Sequence, residues 1–473
     1  MKVKIGLETH VQLSTKSKLF CGCRNPVRLK EEPEPNTFTC VTCLGMPGSK
    51  PRVNAEVINM ALRVSLALNC KIAREMFFSR KTYFYPDMAK NFQITQYEIP
   101  VARDGFVEIN TETGRKKIKI KRVHIEEDPA RIVHVGGIGG KYTLVDYNRS
   151  GIPLLEIVTE PDLSSPEEAR TFINKLTAIL EYLDVYDSSS RAVIKSDANI
   201  SVEGGERIEV KNITGSKEIE QALNYEILRQ KNILSKGGKI TGQTRMWDPE
   251  RGVTQGLRTK EKEEDYGYIF EPDLTRITIP EETKIKIKET LPELPDEKYQ
   301  KFVSRFGLSE KLAESLASER DIAELFEYTA EKISPKVAAS WIAGYLKKTL
   351  NWYGLSFRNS GVKREWIVSL LEFFEKGKIT DRNAELVIRK MIEEKRDPKT
   401  IIEEYDLWKA EINLKEVVAR VMEKNPKAVE DYKAGEEKAL HFLVGMVMKE
   451  TKGRVDAKEV RETLLTMLRK FGE

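Results

Sequence analysis

The sequence predicts an α+β protein in which strands and helices mix over residues 1–290 and helices alone follow. Three observations carry this. Stretches of apolar and polar alternation recur at 5–13, 117–125, 142–147, 192–202 and 207–213, the two-residue period of half-buried strands. Residues 166–183 repeat their apolar side chains at helical spacing and should pack on a sheet. After Leu291-Pro292-Glu293-Leu294-Pro295 the alternation almost vanishes, and amphipathic helices follow one another, punctuated by Pro335, Gly361, Pro398 and Pro426. A weaker break near 405 divides that part into a helical domain, 291–404, and a small helical tail, 405–473. No internal repeat or low-complexity tract interrupts this order.

A chain of 473 residues exceeds one compact core. With 40% hydrophobic and 32% charged residues it reads as soluble and globular. A net charge of +5 permits a nucleic-acid partner without demanding one. No apolar run approaches the ~20 residues of a membrane span. The first residues lack a basic-then-apolar leader, so a cytoplasmic location is expected.

Taken in order, the first strand is Ile5-Gly6-Leu7-Glu8-Thr9-His10-Val11-Gln12-Leu13. Ile5, Leu7, Val11 and Leu13 share one face; Glu8, His10 and Gln12 share the other. That places a carboxylate and an imidazole ~7 Å apart along the strand, within reach of one cation. Next come Cys21-x-Cys23 and Cys40-x2-Cys43, separated by 16 residues. Two thiol pairs joined by a loop have the layout of a tetrahedral zinc site, and four thiolates leave no open position, so the role expected is structural. The alternative is four ordinary reduced thiols. Cys70 closes a helical apolar run, Ala61 to Leu68, and is expected in the core.

A basic strand then ends in Val123-His124-Ile125-Glu126-Glu127-Asp128. Three consecutive acids are costly to gather unless cations meet them. Alternation turns Glu126 and Glu127 to opposite faces, so only one need join a given metal. The 166–183 helix has Ser165 to cap it, Pro166 for its first position, and Glu167 and Glu168 at its positive end. In Lys195-Ser196-Asp197-Ala198-Asn199-Ile200-Ser201-Val202, Asp197, Asn199 and Ser201 share a polar face that suits a hard cation. Lys211 lies on a neighbouring strand, and Asp248-Pro249-Glu250-Arg251-Gly252 reads as a hairpin turn. Gly136-Gly137-Ile138-Gly139-Gly140-Lys141 is no phosphate loop, because Val135 and Tyr142 stand where Gly and Ser or Thr are needed. No nucleophile suited to releasing ammonia from an amide is visible.

Together these segments resemble the B subunit of the tRNA-dependent amidotransferase, the GatB family. The resemblance rests on residues 5–13, Cys40-Val41-Thr42-Cys43-Leu44-Gly45-Met46-Pro47-Gly48, Arg80-Lys81-Thr82-Tyr83-Phe84-Tyr85-Pro86-Asp87 and 124–128. It continues through Leu144-Val145-Asp146-Tyr147-Asn148-Arg149, 153–162, 196–201 and 442–449, and so spans essentially the whole chain. It implies a glutamine-synthetase-like catalytic domain, a helical domain and a YqeY-like, tRNA-gripping tail. It implies a glutamine-dependent ligase: ATP and Mg2+ phosphorylate the side-chain carboxylate of Asp-tRNA(Asn) or Glu-tRNA(Gln), and ammonia displaces the phosphate. An amidase-type A subunit would supply the ammonia, and a C subunit would tie the assembly together.

By the same resemblance Glu8, His10, Glu127 and Asp197 are the catalytic, Mg2+-binding set, with Glu126 beside them. Arg149 and Lys211 become candidates for ATP phosphate contact, and Lys90 faces Glu127 at the mouth of an ammonia path. Cys21, Cys23, Cys40 and Cys43 match the zinc-bearing members. Lys449, Lys452 and Gly453 fall in the tRNA-binding tail. Gly267, Lys195 and Ile213-Thr214-Gly215-Ser216 depart from the bacterial pattern and look archaeal, which would favour Asp-tRNA(Asn). The length leaves no room for the insert of the E-type relative. The competing reading is a non-catalytic tRNA-binding module, which would have no use for convergent acids. A zinc hydrolase would need an open zinc position or a His-Glu-x-x-His helix, and neither is present.

Overall fold

The computed structural model describes residues 1–136, 142–259, 267–409 and 413–470. They form two compact units, Met1–Pro295 and Asp296–Glu473. The division falls at the proline-flanked segment where strand patterns end.

The first unit is built on nine strands: β1 (Val3–Gln12), β2 (Lys71–Ile72), β3 (Ala102–Thr111), β4 (Gly114–Glu127), β5 (Pro153–Thr159), β6 (Ile194–Val202), β7 (Ile208–Thr214), β8 (Gln243–Asp248) and β9 (Val253–Thr259). Across the sheet the order is β9-β8-β7-β6-β1-β5-β4-β3-β2. Neighbours are antiparallel, except for the parallel pair β7 and β8. The strand at the centre is β1.

One face of the sheet is apolar. Ile5, Leu7 and Val11 of β1, Leu155 and Ile157 of β5 and Ala198 and Ile200 of β6 are fully buried. They share a core with α1 (Ala55–Ala67), α2 (Pro166–Tyr182) and α3 (Gly215–Ser235). Each buried Leu or Ile contributes roughly 1.5–3 kcal/mol, so the register of these strands is strongly held. Ser165 accepts a hydrogen bond from the Glu168 N–H and caps α2, with Pro166 at the first position. Cys70 is buried in the same core. Gly252 closes the β8–β9 hairpin, donating to the Asp248 carbonyl at 2.8 Å with φ +64.

Smaller sheets attach to this frame. Ser79–Thr82 pairs with both Gly267–Phe270 and Phe92–Thr95. The strand expected at 142–147 is Tyr142–Asp146, hairpinned with Arg131–Val135. Of the glycine run between them, all but Gly136 lies outside the described residues.

The second unit is helical. Pro335, Pro398 and Pro426 each open a helix, where a missing N–H costs nothing. The last four helices, Leu414–Lys424, Pro426–Lys433, Glu437–Glu450 and Ala457–Lys470, have a core of their own that includes Val418, Val421, Leu443, Val447, Val460 and Leu464.

Candidate functional site

The site lies on the second face of the sheet. Antiparallel register sets His10 opposite Lys195 on one side and Glu156 on the other. Glu156 in turn lies opposite His124. A single lateral row, Lys195–His10–Glu156–His124, thus crosses four strands. One step along β1, Glu8 lies opposite Asp197, and on β4 Glu126 is two residues from His124. Side chains two apart share a face, so the polar alternation seen along each strand becomes a two-dimensional grid of charge.

At its centre His10, Glu126 and Glu156 bring one ligand atom each within 4.8 Å of one another. His10 Nε2 is 3.2 Å from Glu156 Oε2 and 3.5 Å from Glu126 Oε1. Burial opposes a charge on His10, but the Glu156 hydrogen bond and the carboxylates of Glu156 and Glu126 outweigh it and raise the imidazole to about 10. Burial and the Glu156 charge push Glu126 up. Glu156 is held well below the usual carboxylate range: burial works against this, and His124 and His10 prevail. Two buried acids and an imidazole meeting at such distances form a donor set suited to a divalent cation.

Around this centre Glu8, Asp197 and Asp128 each have a polar partner. Asn199 donates to Glu8 at 2.9 Å, and burial raises Glu8 above its ordinary value, aided by Glu156, Glu209 and Asp197. Lys211 donates to Asp197 at 2.8 Å and lies 3.2 Å from Glu209. A bulge between Ser196 and Ala198 opposes Asp197 to both Lys211 and Asn212, and such bulges re-aim side chains. Gln12 donates to Asp128 at 2.7 Å; burial drives Asp128 upward against the pull of Arg149. Two chambers open on the grid, of about 470 and 1410 Å³, and Glu8, Glu126, Glu156 and Lys211 line both.

Two expected site residues sit otherwise. Glu127 does not join the His10 centre. It follows Glu126 on β4, so alternation turns it to the other face, where Lys90 grips both carboxylate oxygens at 2.5 and 2.7 Å. The Ile94 N–H donates to it at 2.9 Å. Arg149 lines the smaller chamber, but its Nε and Nη2 donate to the carbonyls of Pro129 and Ala130 at 2.9 and 2.6 Å. These bonds hold the turn after Glu127-Asp128 together and engage two of the five guanidinium N–H donors.

Cys21, Cys23, Cys40 and Cys43 converge, their sulfurs within 4.8 Å of one another. The Cys40 N–H donates to Cys43 Sγ at 3.1 Å. A hydrogen bond from Cys21, with the Lys18 charge nearby, lowers the Cys43 thiol to about 4, burial opposing. Four thiols and a supporting N–H fit a metal site closed by four thiolates.

The family model of the GatB/GatE catalytic domain matches residues 3–284, and that of the GatB domain matches 324–468. The chain belongs to the GatB family. The B subunit of the aspartyl/glutamyl-tRNA(Asn/Gln) amidotransferase from Methanosarcina barkeri is 46% identical over 494 residues, covering 99% of this chain and 98% of that protein. The protein of the same description from Caldanaerobacter subterraneus subsp. tengcongensis is 43% identical, with 98% of this chain and 99% of that one covered.

Within this GatB-family chain, Glu156 is the residue that sequence reasoning left without a role. The signal was present: it is the one charged group in Pro153–Thr159, a strand buried at every position. His124 joins it on the neighbouring strand. In the tail Lys449 and Lys452 are exposed, but Gly453 is not placed to touch tRNA. It is buried at φ +71, and a Cβ there would lie 3.0 Å from Asn383 Oδ1; its carbonyl accepts from Thr380 at 2.7 Å. Its glycine identity answers to a tight turn.

Proposed function

We propose that this chain is the B subunit of a tRNA-dependent amidotransferase, the one that phosphorylates and amidates the side-chain carboxylate of Asp-tRNA(Asn), Glu-tRNA(Gln) or both. The observation that carries this is the His10–Glu126–Glu156 centre, set between two chambers on one polar sheet face. A purely tRNA-gripping subunit has no use for such a centre, since its carboxylates repel phosphate.

His10, Glu126 and Glu156 would hold Mg2+, with Glu8 and Asp197 flanking them. Mg2+ there would neutralise charge on the ATP phosphates and on the transferring phosphoryl group. Lys211 presents an ammonium held by Asp197 and Glu209 to the same face, ready to orient a phosphate oxygen. Lys90 and Glu127 form a polar mouth on the far side of β4 through which ammonia enters, supplied by an A subunit acting on glutamine. The four-cysteine cluster is assigned a structural Zn2+. Residues 405–473 are read as the tRNA-binding tail, with Lys449 and Lys452 as phosphate contacts. A and C subunits complete a cytoplasmic heterotrimer.

The test is transamidation of Asp-tRNA(Asn) with ammonium by the chain reconstituted with A and C subunits. Asp197→Ala and Glu126→Gln should abolish ATP-dependent amidation while tRNA binding persists. Wild-type rates in both variants would overturn the metal assignment. Firm tRNA binding without ATP turnover in any form would leave the chain a binding module.

A further inference from the structure

His124 is the one imidazole of the grid that the proposed chemistry does not use. It is buried, and its Nε2 lies 2.9 Å from Glu156 Oε2 but 3.8 Å from Glu126. Its Nδ1, also buried, has no hydrogen-bond partner among the described residues. The ring therefore has one polar contact of hydrogen-bonding length, and Nε2 is the nitrogen assigned the proton. His10 differs: its side chain is 26% exposed against 7% for His124, and its Nε2 stands between the two carboxylates. Both imidazoles address the same oxygen of Glu156. Among the described residues, the ion-pair partner of the other oxygen is Arg122, at 3.9 Å, which is beyond hydrogen-bonding reach.

We propose that the two histidines divide the work: His10 gives its lone pair to the cation, while His124 is a positioning residue whose Nε2–H fixes the Glu156 carboxylate in the place where it can ligate. The inference rests on the metal reading of the His10 centre. A nitrogen that donates its lone pair to a cation no longer donates a proton to Glu156. Among the described residues, the carboxylate would then keep the hydrogen bond of His124 alone. Outer partners of this kind orient the ligand they touch, and their loss weakens metal binding about 10–100-fold. His124 lines the larger chamber, but its Nε2, at 2.9 Å from Glu156 Oε2, is already engaged there.

The experiment is a Mn2+ titration of the full chain followed by electron paramagnetic resonance, for wild type, His124→Leu and His124→Gln. H124L should bind Mn2+ about 10–100-fold more weakly. H124Q, whose amide N–H can take the place of Nε2–H, should recover most of that loss. In the reconstituted enzyme H124L should raise the Mg2+ concentration for half-maximal rate and leave kcat at saturating Mg2+ near wild type. Unchanged Mn2+ affinity in H124L overturns the proposal, as does a kcat defect that Mg2+ does not restore. Should H124L fail to fold by circular dichroism, His124→Asn, whose shorter amide falls short of Glu156, makes the same comparison with H124Q. A wild-type chain that binds no Mn2+ overturns the metal reading itself, and this inference with it.

Discussion

At the scale of single residues, much of the site's character comes from acids that are buried and answered. Glu127 is 5% exposed and is gripped by one lysine and one backbone N–H. Removing the cation alone leaves a buried carboxylate uncompensated, so Lys90→Met should destabilise the first unit by about 3–5 kcal/mol. Replacing both partners, as Lys90→Met with Glu127→Leu, should recover most of that; urea unfolding of the two variants checks it. What the sequence showed at this scale was uneven. Glu8, His10 and Glu126 were legible because each sits at a polar position of an alternating strand. Glu156 stood out only as the one charged residue of Pro153–Thr159; which groups it meets was not legible, because that is set by the neighbouring strands. That fact depends on pairing between segments almost 150 residues apart. Glu127 was misplaced for the converse reason: resemblance grouped it with Glu126, and strand alternation separates them.

At the scale of elements, α2 shows what local rules can do. Ser165 accepts from the Glu168 N–H, while the Glu168 carboxylate accepts from the Ser164 N–H at 2.7 Å and from Lys116. Ser165→Ala should cost about 1 kcal/mol, read as a fall in the thermal midpoint. Burial opposes ionisation of Glu168, but the Lys116 and Ser164 bonds prevail and lower it below 4.5. A depressed carboxylate contributes stability that is full above its unfolded value and lost as pH falls through its folded one. The gap in thermal midpoint between wild type and Glu168→Gln should therefore be widest at neutral pH and narrow as pH drops below about 4.5. The helix ends, the hairpin at Asp248–Gly252 and the prolines of the helical unit were readable because each is settled within a few residues. The order of strands in the sheet was not, since β1 meets β5 and β6 from far along the chain.

At the scale of the whole molecule, two units with separate cores should respond separately to perturbation. The four-cysteine cluster belongs to the first. Strong chelation should lower the calorimetric transition of Met1–Pro295 and leave that of the helical unit where it was; a shift of both would show that the two unfold together. Cys21→Ser should reproduce the effect of the chelator. Composition separated mixed from helical architecture at this scale, because the change of pattern at Leu291–Pro295 is abrupt. It could not show that the last four helices enclose a core of their own, which depends on helix faces meeting across the 414–470 segment.

The lateral row across β6, β1, β5 and β4 has a consequence for heredity. Core and site are written on alternate letters of the same strands, so the two cannot drift apart. One residue inserted in β1 exchanges the faces and erases both together. Two residues inserted restore the apolar face yet carry His10 past Glu156, leaving a folded protein without its centre. Descent can lengthen the loops between these strands freely, while the strands themselves admit substitution and refuse any change of frame.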